Sequence, residues 1–502
     1  MNEERTLRLF DAITAAREAY VNEAALPCRR ARHWGAWAAV AACLFILIGS
    51  WSFLQPLLGF VIANPFLRAG RGDGTGSSGG QAVTAYHYYA GPVLPLTAEE
   101  EGLTAEREVE YDFSLFDPGL KDDGRYTYLR SQQSCLVTDT YLLSAPEAGT
   151  YTLYYPFVTT LLDASALLPK LRVNGRAAET ELVIGPGSSS FNSWEDLTAL
   201  MGEDYLDRAL EGVPTADRKV IVYALSGLYG PAGETAKNPT VAFEYSADMS
   251  KTAVLAWGFD GGSNDYENGR GSRLVRVPQP GEPDQIRNQV RTVYLIVLGE
   301  DVTDWRVQGY TNGGCDIPME TAGAAVTRYE STLDEMLTAF WTGYHGDNLA
   351  GMLSPETLVG LTYRYWLERE PGPGGFLAAV RTGPLTLNEL CGQVLQESRV
   401  LYLRFTAEVT PGGDCEVEVN LVKYPSRDYG GPKQARRGFD LAGKLGSRIT
   451  YTRLEAVITG AEHIRILRQD FGFDPEKGVT RVTLDPEGEH WYMDVCARGT
   501  KK

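Results

Sequence analysis

Cysteine and histidine are scarce in this chain, with 7 and 5 copies among 502 residues. The five cysteines beyond residue 72 (Cys135, Cys315, Cys391, Cys415 and Cys496) are odd in number and far apart. That spacing excludes a metal knuckle, a C-x-x-C redox pair and the dense bridging of a small secreted module. Isolated thiols are the expectation, with one incidental disulfide as the alternative. His33, His87, His345, His463 and His490 are too scattered to form a short-range ligand motif. No strand-turn-helix G-x-S-x-G elbow, G-K-S/T phosphate loop or H-E-x-x-H helix is present. Serines and carboxylates are abundant, so a carboxylate-based glycan hydrolase stays open as an alternative, because sequence spacing does not report how far apart two acids lie in space.

Positive charge is also short. Lys and Arg number 47 against 65 Asp and Glu, and from residue 72 onward the ratio is 39 to 60. Such a surface repels nucleic acid and anionic lipid, so neither is an expected partner of this region.

The most consequential lack is local. Residues 34–67 carry no charged side chain, and Arg29, Arg30 and Arg32 stand immediately before them. The richest part, Trp34 to Leu54, is 21 residues long, and a helix needs roughly 20 to cross a hydrocarbon core. Trp34, Trp37 and Trp51 suit the two interfaces, and Leu44, Phe45, Ile46 and Leu47 form the apolar centre. The expectation is a single-pass anchor in a lipid bilayer, with a cytoplasmic N-terminus and an extracytoplasmic C-terminal body. The piece Pro56 to Leu67 is too short for a second crossing and extends the anchor or lies in the interface. The polar stretch before the core argues against a cleaved leader, and Cys43 reads as an ordinary helix residue.

Before the anchor, Leu9, Ile13, Ala16 and Tyr20 form a modest helical stripe. It reads as a helix resting on the membrane or as a docking helix, through residues 1–28, for a cytosolic protein. After the anchor, Arg68 to Gly80 is a Gly/Ser-rich flexible spacer, and the Arg71-Gly72-Asp73 tripeptide within it reads as linker.

The remaining chain predicts a mainly β fold with an inserted helical region, built from β-sandwich-like modules. The expected boundaries are 1–33 cytoplasmic segment, 34–67 anchor, 68–81 linker and 82–200 first β region. They continue with 201–325 second β region, 326–398 helical module and 399–502 C-terminal β region. Thr150–Val158 and Lys170–Gly185 are strand-like, and Asn174-Gly175 supplies a hairpin turn. In Cys415–Tyr424, Cys415, Val417, Val419 and Leu421 alternate with polar residues, which predicts one buried and one wet face. Arg399–Val409 and this strand flank a Pro411–Asp414 turn, and Gly478–Asp485 and His490–Val495 flank a second turn. An S-x-x-D cap at Ser331 and a T-x-x-E cap at Thr386 start two helices with apolar faces.

Two segments carry candidate chemistry. The polar stretch Phe259–Gly271 reads as a long exposed turn in which Asp260, Asn264, Asp265 and Glu267 offer oxygen ligands for Ca²⁺, though the order departs from the EF-hand pattern. Tyr363, Tyr365 and Trp366 cluster ahead of Pro371-Gly372-Pro373. They read first as core and second as a platform for sugar rings.

The basic, Trp- and Ala-rich anchor after a short charged segment resembles membrane-bound regulatory proteins of Gram-positive bacteria, including membrane anti-sigma factors. A zinc-type anti-sigma domain would need more than Cys28 and His33. The segments 294–315 and 466–495 resemble the ectodomains of uncharacterised clostridial-type single-pass membrane proteins, a resemblance that brings no activity with it. Together these features favour an extracytoplasmic binding or sensing protein coupled to a cytosolic regulator, with an envelope protein or a glycan as its ligand. A structural or adhesive envelope role is the first alternative. No catalytic residue and no cofactor beyond Ca²⁺ is expected.

Overall fold

The chain divides into two units, Met1–Ser77 and Ser78–Lys502. The computed structural model describes residues 88–120, 127–188, 192–202, 204–211, 218–228, 239–277, 292–319, 324–344, 353–369, 375–412, 415–427 and 436–499. The expected inner helix, the anchor with its flanking arginines, the spacer, His87 and His345 lie outside the described residues. No described helix is long and apolar enough to cross a membrane.

Strand dominates and a smaller helical part is inserted, as expected at that level. The largest sheet has seven strands. In spatial order they are Arg481–Leu484, Thr450–Thr459, Thr104–Asp112, Cys135–Ser144, Cys415–Lys423, Lys170–Val173 and Arg176–Ala177. A middle sheet orders Thr97–Ala98, Gly149–Thr159, Ser398–Val409 and Glu181–Ser188. A five-stranded entry sheet orders Pro92–Val93, Arg437–Ala442, His490–Ala497 and Ile464–Gln469, with Ser426–Arg427 also paired to Arg437–Ala442. Early and late strands therefore share sheets. Thr104–Asp112 runs parallel to Thr450–Thr459, and Gly149–Thr159 pairs antiparallel with Ser398–Val409. Residues 82–200 and 399–502, expected as separate regions, are interleaved.

This interleaving also redirects the two expected C-terminal strand pairs. Both edges of Ser398–Val409 are taken by Gly149–Thr159 and Glu181–Ser188, so it cannot pair with Cys415–Lys423 across the Pro411 turn. Likewise Arg481–Leu484 joins the seven-stranded sheet, whereas His490–Ala497 joins the entry sheet.

Residues 219–332 form two facing sheets inserted between these halves. The inner sheet orders Thr252–Trp257, Thr292–Gly299, Lys219–Ser226 and Ala325–Thr332. The outer sheet contains Gly261–Asp265, Arg270–Arg276, Thr240–Ser246, Thr303–Tyr310 and Pro318–Met319. Tyr223, Leu225, Val254, Val293, Leu295 and Val297 of the inner sheet share a core with Val241, Phe243, Tyr245 and Val275 of the outer one. The alternate residues Val220, Val222, Leu255, Ile296 and Leu298 face the other way, into a second core with Leu333, Met336, Leu337, Phe340 and Trp341 of the helix Leu333–Gly343. A sheet covered on both faces needs apolar residues at successive positions. That requirement accounts for the unbroken runs in Lys219–Ser226 and Thr292–Gly299.

The helix starts one residue later than its sequence suggests. Thr332, not Ser331, is its N-cap, and Glu335 closes the capping box. Ser331 is still paired with Val220 in the inner sheet, so its backbone cannot yet turn into a helix. The helical region thus begins at Leu333, because residues 325–332 complete a strand. Thr386 and Glu389 form the expected box at Leu387–Gln396. Tyr363, Tyr365 and Trp366 on the helix Pro355–Arg369 are at most 2% exposed and belong to the core.

Candidate functional site

The strand that brings the chain into the body is held by the ends of several later strands. Tyr88 exchanges backbone hydrogen bonds with Arg427, and the Ala90 N–H donates to Ser426 Oγ at 3.0 Å. Pro92 and Val93 run parallel beside Asp440 and Leu441. Lys423 closes this junction. The inward positions of Cys415–Lys423 are Cys415, Val417, Val419, Leu421 and then Lys423, so the two-residue period carries a lysine into an apolar layer. Its Nζ donates to the carbonyls of Ala90 at 2.7 Å and Pro92 at 3.3 Å. Burial pushes its pKa down to about 7, against the pull of the nearby Asp440 carboxylate.

Asp440 reaches this layer by the same alternation. Phe439 and Leu441 join the apolar core, so Asp440 points to the opposite face of the entry sheet, where it is only 3% exposed. Its Oδ2 lies 3.1 Å from His490 Nε2, and its Oδ1 has no hydrogen-bond partner among the described residues. The His490 ring stacks on Trp194 at 4.3 Å between centroids. Asp494, paired across the strands with Gly438, is fully buried and held by Arg468 and Arg436. Asp470 accepts a hydrogen bond from the Tyr492 N–H at 2.7 Å, and burial raises its carboxyl.

A second buried charge pair ties this layer to the seven-stranded sheet. Arg107 and Asp139, both unexposed, form a two-point pair at 2.9 Å on each arm. Arg107 also donates to the carbonyls of Ala442 at 2.7 Å and Leu94 at 3.2 Å. Tyr141 and Tyr155 donate to Asp139, and burial raises both phenols. Every arm of the pair is used, which is the condition for tolerating ions at zero exposure.

Between the entry strand and Gly149–Thr159 lies a crevice of ≈ 30 Å³, room for a water molecule. Lys423, Tyr88, Tyr89, Tyr424 and Asp163 are among its walls. The Asp163 carboxyl, raised by burial, accepts from Thr160 at 3.1 Å.

The residues offered for Ca²⁺ are dispersed. Phe259–Gly271 is not an open turn but most of a hairpin, with Gly261–Asp265 paired to Arg270–Arg276. Asp260 precedes that five-residue strand and Asp265 ends it, at a strand rise of about 3.3 Å per residue. Asp260 accepts from the Arg276 N–H, Asn264 Oδ1 from Arg273 and Tyr245, and Asp265 from Asn268. Glu267 lies in the turn beyond the first strand and is exposed. Gly262 has a structural reason, since a Cβ there would lie 2.2 Å from the Ser272 carbonyl oxygen. Among the described residues no three His, Cys, Asp or Glu side chains are placed to hold a metal ion. Of the five described cysteines, four are buried and Cys315 is partly exposed.

Two neighbouring carboxylates, Glu368 in the last turn of the helix Pro355–Arg369 and Glu397 at the C-cap of Leu387–Gln396, bear on the hydrolase alternative. Burial, reinforced by Glu397, raises Glu368 to about 7. Glu397 itself is pinned by Arg399 at 2.6 Å and approached by Arg369 at 3.6 Å. A carboxylate held by two guanidiniums is tied up as a structural ion pair.

Sequence reasoning reached His490 as a strand-start residue and missed its partners. Asp440 is 50 residues away and Trp194 almost 300. Lys423 carried a readable signal, because extending the Cys415–Leu421 alternation by one period lands on it. No family model, curated protein or solved structure matches the chain.

Proposed function

We propose that the chain is a membrane-tethered, extracytoplasmic binding and sensing protein, coupled through its first 28 residues to a cytosolic regulator. The uncharged stretch 34–67 behind Arg29, Arg30 and Arg32 supports the tether, and the acidic body supports exposure to an ion-rich outer environment. The observation that carries the reading is the weave of the entry strand. The segment arriving from the N-terminal side lies between Arg427 and Asp440, against Lys423, so it cannot shift without disturbing the C-terminal strands. Such a joint passes force or a conformational change between body and tether. The ligand class we assign is an envelope protein or glycan.

Topology is tested in intact cells with a membrane-impermeant maleimide, in chains whose Cys28 and Cys315 are replaced by serine. The reading predicts labelling of Ser78→Cys and protection of Ala25→Cys; the reverse pattern, or equal labelling, contradicts it. Coupling is tested by proximity labelling from the N-terminus, with and without residues 2–24. Loss of a specific cytosolic neighbour on deletion supports the regulator arm. An unchanged neighbour set rejects it and favours a structural or adhesive protein whose body acts alone.

A further inference from the structure

We propose that Lys423, flanked by Asp440 and His490, is a protonation-controlled latch on the entry segment, residues 88–93. Its significance for signalling rests on the tethered-sensor reading above, whereas the latch itself does not.

The geometry is a chain of contacts that runs from the partly exposed His490 inward to the buried Lys423. Trp194 stacks on His490, His490 contacts one oxygen of Asp440, and the Asp440 charge bears on Lys423. Lys423 in turn grips two carbonyls of the entry strand. The free Oδ1 of Asp440, buried and without a partner among the described residues, marks this layer as incompletely satisfied. Natural interiors leave few such oxygens bare. The crevice that Lys423 lines would admit water to the joint once the segment lifts.

The charged and titratable groups around the latch come from every packed element. Asp440 faces Lys423 from Arg437–Ala442, while Asp163, Tyr88, Tyr89 and Tyr424 surround the crevice. Behind Asp440 stand His490, Asp470 and Asp494, with Arg436 and Arg468 on Asp494. The carboxylate nearest the amine favours its charge, and burial opposes it.

The sign follows from comparing the closed and open forms. With the entry strand lifted, the Lys423 amine meets water and returns towards the ordinary lysine value near 10.4. Closed, it titrates at about 7. The open form binds the proton more tightly, so acidification favours opening. The opening constant therefore rises by about one to two orders of magnitude between pH 9 and pH 7, and levels off once the pH lies below the closed-state value. Alkaline conditions hold the latch shut with a neutral amine that still donates to both carbonyls.

The test is hydrogen exchange on the full-length chain at pH 6, 7, 8 and 9, corrected for the intrinsic exchange rate. The latch predicts that peptides containing Tyr88–Val93 open more as pH falls, while peptides from Thr240–Ser246 in the outer sheet show no such slope. In Lys423→Met the slope at the entry strand disappears. Asp440→Asn removes the carboxylate that favours the lysine's charge, so its plateau moves to lower pH, and this variant serves as the readout if Lys423→Met does not fold. A slope shared by both regions, a slope that survives Lys423→Met, or an unmoved plateau in Asp440→Asn overturns the latch. Failure of the topology labelling with the exchange result intact would reject the tether and leave the latch standing.

Discussion

The inner sheet of residues 219–332 and the entry sheet are each covered on both faces, yet they are filled with opposite materials. The inner sheet places Val220, Val222, Leu255, Ile296 and Leu298 on one side and Leu225, Val254, Leu295 and Val297 on the other. The entry sheet has an apolar side, with Phe439, Leu441, Met493 and Val495, and a charged one, with Asp440 and Asp494. Hydrocarbon packing is indifferent to protons and fixes shape. A buried ionic layer is stable only while each charge keeps its partner, so its stability depends on pH. The proton-sensitive filling therefore lies in the entry sheet and the proton-indifferent filling in the inserted region.

The largest effect is expected from orphaning the ion that ties the seven-stranded sheet to Ala442 of the entry sheet. Asp139→Ala leaves Arg107 charged, unexposed and without its carboxylate, and the expected loss is about 3–5 kcal/mol, read as a fall in the urea midpoint. A hydrocarbon deletion in the inserted region comes next. Ile296→Ala is expected to cost about 3 kcal/mol through lost burial and a residual cavity, and the cost should be the same at pH 6 and pH 9. A local change follows in size. Thr386→Ala removes one half of a capping box and should lower stability by about 1 kcal/mol, with faster exchange confined to the first turn of Leu387–Gln396. The smallest effect sharpens the pH argument. Burial raises Asp470 in the folded state, so the stability it contributes is present at low pH and is lost as pH rises through the folded value. The melting temperature of Asp470→Asn should therefore gain on the parent as pH climbs from 4 to 7.

Local grammar was legible in the sequence and long-range pairing was not. The Asn174-Gly175 turn, with φ of 49° and 74°, and the box at Thr386 follow from turn and cap chemistry within four residues. The cap at Ser331 slipped by one because a sheet partner more than a hundred residues away, Val220, holds that backbone extended. Phe259–Gly271 looked like a loop because Gly, Asn and Asp disfavour strands. The close approach of Ser272 to Gly262 is what a glycine inside a strand signals instead. The division into separate early and late β regions failed for a related reason. Nothing in Gly149–Thr159 announces that its neighbour will be Ser398–Val409. At the candidate site, Lys423 could have been found by carrying the alternation one step further. Asp440, His490 and Trp194 meet only through the fold.

The most direct test of the account is the melting temperature of the full-length chain against Lys423→Met at pH 7, 8, 9 and 10. For Lys423, whose folded pKa is depressed, the favourable contribution is complete above the unfolded value near 10.4 and is lost as pH falls through about 7. The account therefore predicts that the parent loses ground to the variant steadily from pH 10 to pH 7, at up to about 1.4 kcal/mol per pH unit. Ile296→Ala, measured alongside, should differ from the parent by a constant amount. A constant gap for Lys423→Met as well would contradict the assignment of a pH-responsive layer to the entry sheet.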